Sequence, residues 1–112
     1  ERAGARAAWE KALVRDPKSA DVRLNLCLLA FDEGRLDDAR RLLDEARSLE
    51  PGRGDVYFHI ARIEAVRGDG ESALASLEEA RRRGFDIRGA VLNDPAFTRL
   101  LANPEFRGWL ER

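Results

Sequence analysis

The chain has 112 residues, a length typical of a single domain. Twenty Lys and Arg side chains nearly balance 21 Asp and Glu side chains, and the formal net charge is −1. This charge gives no long-range field that would attract nucleic acid or an anionic membrane, so we expect neither as a partner.

A single cysteine cannot form an internal disulfide, so the cysteine content does not indicate the cellular compartment of the protein. We take the cytoplasm as the default and the periplasm as the alternative. No apolar run approaches the roughly 18–20 residues that a membrane-spanning helix needs. The chain starts at Glu1 and contains no methionine, which suggests a segment of a longer protein.

Proline and glycine divide most of the chain into five predicted helices. Pro17 and Pro51 end two of them, because the residue before a proline avoids the helical conformation. Gly34, Gly68 and Gly84 end the others in the left-handed conformation that glycine readily adopts. The predicted helices cover about residues 2–15, 20–33, 37–49, 55–67 and 71–83. No segment alternates apolar and polar residues as a strand would.

The second predicted helix carries apolar side chains around most of its circumference. Ser19 precedes it as a predicted N-cap. Its apolar residues are Val22, Leu24, Leu26, Cys27, Leu28, Leu29 and Phe31. A helix of this kind is either buried on all sides or presents an apolar face to a partner.

The sequence repeats with a period of 34 residues. Proline recurs at positions 17 and 51, and glycine at positions 34 and 68. Three further positions of this period hold similar residues in each of three copies. These sets are Ala5, Ala39 and Ala73; Ala12, Ala46 and Ala80; and the large apolar residues Trp9, Leu43 and Leu77. A fixed period of this length predicts stacked helical hairpins rather than one wrapped core.

In this frame the chain resembles the tetratricopeptide repeat over about residues 1–85. The middle repeat matches at Leu26, Gly34, Leu36, Ala39, Leu43, Ala46 and Pro51, and the next at Tyr57, Ile60, Ala61, Gly68, Ala73, Leu77 and Ala80. Departures from the pattern are Arg23, Cys27, Gly70 and Phe85. The resemblance implies an all-α, right-handed solenoid of antiparallel helical hairpins with short C-terminal capping helices. Its parts would be a partial repeat over 1–19, full repeats over 20–53 and 54–87, and the cap over 88–112.

Beyond Phe85 the period changes to nine residues. The stretch Asp94-Pro95-Ala96-Phe97 returns as Asn103-Pro104-Glu105-Phe106. Each copy has an N-cap acceptor followed by proline at the first helical position, so we predict two helices of about two turns. Helices this short need support, and we expect them to pack onto the last repeat. The tail resembles segments that close tetratricopeptide arrays in bacterial proteins.

The residues give little support for catalysis. His59 is the only histidine and has no acid–base partner that can be recognised from spacing, so we interpret it as a surface or groove residue. Cys27 occupies a small-residue slot and is predicted to be an inert core thiol. No cluster has the spacing of metal ligands. We therefore predict a non-enzymatic chain without a cofactor or a metal site.

The resemblance implies a partner-binding groove lined by the first helix of each repeat. The slots map to Asp21, Leu24, Asn25, Leu28 and Phe31, and to Asp55, Phe58, His59 and Arg62. Arg62 would be the one cation of this surface, and Asn25 would bond to a peptide backbone. Family members that bind heat-shock chaperones clamp a carboxylate with Lys and Arg. Asp55 and His59 stand in two of those slots here, which argues against that specificity.

Several alternatives stay open at this stage. The predicted function is a protein–protein interaction module, a scaffold or adaptor segment that binds a peptide or protein in the groove. Alternatively, the segment is a regulatory appendage of an enzyme whose catalytic domain lies elsewhere, or it only ends a longer array. A separate alternative to the groove is that Leu24, Leu28 and Phe31 are covered by the neighbouring helix or by upstream repeats. Trp9, Leu13 and Val14 lack a preceding helix, so self-association through this edge is a further prediction.

Overall fold

A computed structural model describes residues 2–112, which contain helices and no strand. The helices are α1 (Arg2–Arg15), α2 (Ala20–Asp32), α3 (Leu36–Leu49), α4 (Gly54–Val66), α5 (Gly70–Arg82), α6 (Ile87–Leu92), the 3₁₀ helix Pro95–Phe97, α7 (Thr98–Leu101) and α8 (Pro104–Glu111). The all-α helical-repeat prediction is confirmed. Within this range every helix is too short or too polar to cross a membrane. The chain forms two compact units, and the boundary between them in the sequence follows Gly52.

The first unit packs α2 against both α1 and α3. Helix α2 begins as predicted, because the Ser19 hydroxyl accepts a hydrogen bond from the Val22 N–H at 3.1 Å. Cys27 and Leu43 form part of the core and are at most 1 % exposed. Arg23 of α2 reaches Glu45 of α3 with a distance of 3.0 Å from Nε to Oε1. The small and apolar slots of the 34-residue frame therefore carry the packing in this unit.

Three helices end at the glycines that the sequence singles out. Gly34, Gly68 and Gly84 have positive φ angles of 74°, 83° and 89°. After Gly34, the Arg35 N–H bonds back to the Ala30 carbonyl at 2.8 Å, so the last carbonyls of α2 are satisfied. A side chain with a Cβ would be strained at these positions, which explains the repeated glycine.

The second unit packs α4 against α5 and adds the C-terminal tail to this pair. Gly54 starts α4 where a Cβ would lie 2.9 Å from the Ala80 carbonyl oxygen and 2.8 Å from the Phe85 Cβ. The core of the unit combines repeat and tail residues, namely Phe58, Ala61, Leu77, Ala80, Ile87, Val91, Phe97, Phe106, Trp109 and Leu110. The tail therefore packs onto the last repeat.

The tail differs from its prediction in two places. Helix α6 was not predicted, although Ile87 and Val91 are one helical turn apart and both are buried. It has only six residues and includes Gly89, so its helical propensity is weak and tertiary packing decides its conformation. The first predicted tail helix is instead a 3₁₀ turn followed by the single turn of α7. Both N-caps are as predicted, with Asp94 accepting from Ala96 N and Asn103 from Glu105 N.

Candidate functional site

The predicted docking residues of α2 have very different exposures. Leu24 is buried at 8 % exposure, whereas Leu28 is 37 % exposed. Asp21 is exposed, and Asn25 and Phe31 are half-buried. This face thus exposes one large apolar side chain, Leu28, with the amide of Asn25 about one helical turn before it and the carboxylate of Asp21 about two turns before it.

The exposed side of α2 is turned away from its neighbours in the first unit. Leu26 and Ala30 line a cleft of about 180 Å³ that also includes Leu13 of α1 and Leu42 of α3. Successive residues of a helix are rotated by about 100°, so Leu28 points roughly opposite to these two α2 residues. Neither α1 nor α3 therefore covers the Leu28 side of the helix.

The equivalent face of α4 carries an aromatic cluster. Phe58 is only 5 % exposed, and its ring centroid lies 5.0 Å from that of Phe85 and 5.6 Å from that of Phe97. The 3₁₀ helix that contains Phe97 packs directly against α4. Phe97 itself is fully buried. Here the chain's own tail occupies the side of α4 that bears the predicted docking residues.

Charged groups surround this cluster. Arg62 forms an ion pair with Asp94, with Nε 2.7 Å from Oδ2, and both side chains are about 15 % exposed. A guanidinium nitrogen of Arg62 also lies 3.2 Å from Nδ1 of His59, which must accept because the guanidinium only donates. Asp55 pairs with Arg53 at 2.8 Å. The predicted cation of the site is therefore engaged by the tail.

His59 has an unusual protonation equilibrium. Burial, followed by the positive charge of Arg62, lowers its pKa from 6.5 to about 4, and the carboxylates of Asp55 and Asp94 oppose this shift only partly. The imidazole is therefore neutral at physiological pH, in agreement with its acceptor role toward Arg62. His59 is half-buried, so part of the imidazole is in contact with solvent.

A second concave feature lies between α5 and the tail. This cavity of about 430 Å³ has a mostly apolar wall and a charged rim. Its lining residues are Gly70, Glu71, Leu74, Leu100, Asn103, Glu105, Phe106, Trp109 and Arg112. Two side chains of α5 hold Trp109 in place. The guanidinium carbon of Arg81 lies 4.3 Å from the indole ring centroid, and the indole N–H donates a hydrogen bond to Oε1 of Glu78 at 3.3 Å. The sequence does not indicate this cavity, because its walls come from elements that are separate in the chain.

Reactive groups are sparse in the described part of the chain. Cys27 is 1 % exposed, as predicted for a core thiol. Within residues 2–112 no group of three or more His, Cys, Asp or Glu side chains is arranged to hold a metal ion.

Comparison with models of known protein families identifies the family of this chain. Residues 1–47 and 30–103 match the family described as tetratricopeptide repeat. The chain belongs to the tetratricopeptide-repeat family. Tetratricopeptide repeats are in general protein–protein interaction modules and are typically not catalytic. No solved structure matches the chain.

The family match extends further than the resemblance drawn from the sequence alone. It continues past Phe85 to residue 103 and so includes α6, the 3₁₀ helix and α7. In this tetratricopeptide-repeat chain the tail is thus part of the family match up to residue 103, and it also covers Phe58 and Arg62. The spacing of the repeats located α4, but Asp94 and Phe97, which contact it, were recognised only as parts of a tail helix.

Proposed function

We propose that the chain is a protein–protein interaction module that uses the α2 face to bind a peptide or protein. The docking residues would be Asp21, Leu24, Asn25, Leu28 and Phe31. The observation that carries this proposal is Leu28, an apolar side chain that is 37 % exposed on the side of α2 opposite to its contacts with α1 and α3. An exposed leucine bordered by polar groups suits an apolar anchor of a partner.

The α4 residues contribute to docking in a different way. Asp55, Phe58, His59 and Arg62 would form a docking surface on the second unit, but Phe58 is buried and Arg62 is paired with Asp94. A partner reaches these two side chains only when the tail leaves them. The α2 face is therefore accessible to a partner while the tail covers the α4 residues.

A matched pair of variants tests the role of α2. Leu28→Glu places a charge on the proposed docking face, whereas Leu92→Glu makes the same change at an exposed leucine of α6 that is 46 % exposed. In affinity capture followed by mass spectrometry, Leu28→Glu should lose the partner, whereas Leu92→Glu should retain it. Equal capture by both variants and the unmodified chain would place the docking surface elsewhere.

A second proposal concerns self-association through α1. Val14 is 83 % exposed, and Trp9 and Leu13 are half-buried next to it. Apolar side chains that are left in water favour contact with a second copy of the same surface. Sedimentation velocity should detect a dimer that Val14→Asp weakens, and a monomer at all concentrations would refute this idea.

A further inference from the structure

The tail segment Asp94–Phe97 sits on α4 with a defined set of contacts. Its aromatic end, Phe97, is fully buried against Phe58, with ring centroids 5.6 Å apart. Its acidic end, Asp94, forms the ion pair with Arg62 at 2.7 Å. The two anchoring side chains are three residues apart and belong to one tight turn, so they reach the helix together.

Asp94 has a second role within the turn. One of its carboxylate oxygens accepts a hydrogen bond from the Ala96 N–H at 2.9 Å and caps the 3₁₀ helix. The carboxylate therefore holds the turn and contacts Arg62 at the same time. With Pro95 at the first helical position, the segment is preorganised for this contact.

The chain supplies two internal comparisons for this contact. The second copy of the turn starts with neutral Asn103, and its Phe106 stacks on Trp109 at a centroid distance of 5.7 Å. In α2, the position 34 residues before Arg62 is Leu28, which offers no cation. Thus the acidic turn lies on the helix that carries the arginine, and the neutral turn packs elsewhere.

We propose that the α4 face is a recognition site for an acidic turn and that Asp94–Phe97 is its tethered occupant. The partner that fits this face is a peptide segment with a carboxylate followed three residues later by an aromatic side chain. Such a segment replaces the tail, pairs with Arg62 and packs its ring on Phe58. This inference rests on the proposed interaction function. It specifies the kind of peptide that the α4 residues bind, and it identifies the tail segment Asp94–Phe97 as the competitor of that peptide.

Tethering determines how strongly the tail competes. Even a short flexible connection would give the tail an effective concentration in the millimolar range. The packed helix α6 holds Asp94–Phe97 next to α4 and makes it a stronger competitor than such a connection would. A free peptide with the same contacts therefore binds the unmodified chain only at high concentration. Asp94→Asn removes the charge in the tail, but asparagine caps a helix as well as aspartate does, so this variant keeps the local fold.

The experiment is a titration of the full chain, monitored by backbone amide NMR shifts. The probe is a peptide of residues 92–99 with blocked ends, and the matched probe carries asparagine in place of its aspartate. The Asp94→Asn chain should bind the acidic probe at least tenfold more tightly than the unmodified chain does. It should also prefer the acidic probe to the matched probe at least fivefold, with the largest shifts on α4.

Two further variants separate recognition from general loosening of the fold. Arg62→Gln in the Asp94→Asn background should abolish the preference for the acidic probe. Val66→Ser, at a 49 % exposed position of the same helix, should leave it unchanged. The proposal is overturned if the folded Asp94→Asn chain does not bind the probe, binds it no better than the unmodified chain, or keeps the preference without Arg62. These outcomes leave the capture test with Leu28→Glu unaffected, so the two proposals fail separately.

Discussion

Lowering the pH from 7.0 to 5.5 should destabilise the second unit through His59. Its pKa is lowered from 6.5 to about 4 by burial and by Arg62, so the unfolded chain takes up a proton before the folded chain does. Stability linked to this group is complete above pH 6.5 and is lost as the pH falls toward 4. With a pKa of 6.5 in the unfolded chain and about 4 in the folded chain, proton linkage lowers the free energy of unfolding by about 1 kcal/mol between pH 7.0 and 5.5.

Urea unfolding followed by circular dichroism measures this effect. A slope of about 1–2 kcal/mol per molar urea converts the loss into a decrease of the unfolding midpoint by about 0.5–1 M. The range stops at pH 5.5 because ordinary carboxyl groups titrate near pH 4. The sequence contains one histidine, so no other side chain has an ordinary pKa in this interval.

The control is His59→Asn, which keeps a polar side chain without a titration near neutral pH. Its midpoint should depend on pH much less than that of the unmodified chain, whatever its absolute stability. An NMR titration of the single imidazole gives an independent value. A measured pKa of 6 or above, or identical pH slopes for both chains, would refute the assigned environment of His59.

Three other substitutions test the packing. Gly54→Ala should cost about 1–3 kcal/mol of unfolding free energy, because its Cβ would meet the Ala80 carbonyl at 2.9 Å, whereas Gly52→Ala, with nothing within 4 Å, should be nearly neutral. Leu77→Ala removes a fully buried side chain and should cost about 2–5 kcal/mol, measured by the same unfolding assay; a loss below about 1 kcal/mol would contradict tight packing there. Ser19→Ala removes the N-cap of α2 and should cost about 1 kcal/mol, whereas Ser19→Asn should restore it.

The helices and their ends were accessible from the sequence because local chemistry determines them. Ser19 caps α2, Gly34 ends it, and the five long helices lie within one residue of their predicted bounds. The buried alanines of the 34-residue frame, such as Ala39 and Ala73, also follow from their spacing. In each case the residues that decide the structure are close together in the chain.

Helix α6 and the 3₁₀ turn were less predictable because their own propensities are weak. Ile87 and Val91 form a short helix because both side chains are buried in the core of the second unit. The sequence shows that Ile87 and Val91 are one helical turn apart, but it does not indicate which surface buries them. Without that surface a six-residue helix would not be stable in water.

The 34-residue pattern by itself determined the family, the helical hairpins and the positions that face inward, since these depend on local periodicity. Only the tertiary structure decided which side chains remain available to a partner. Arg62 and Leu28 occupy equivalent slots, yet Arg62 is paired with Asp94, 32 residues further along the chain, and Leu28 is 37 % exposed. Contacts between residues this distant depend on how the tail packs, and no local rule of spacing contains that information.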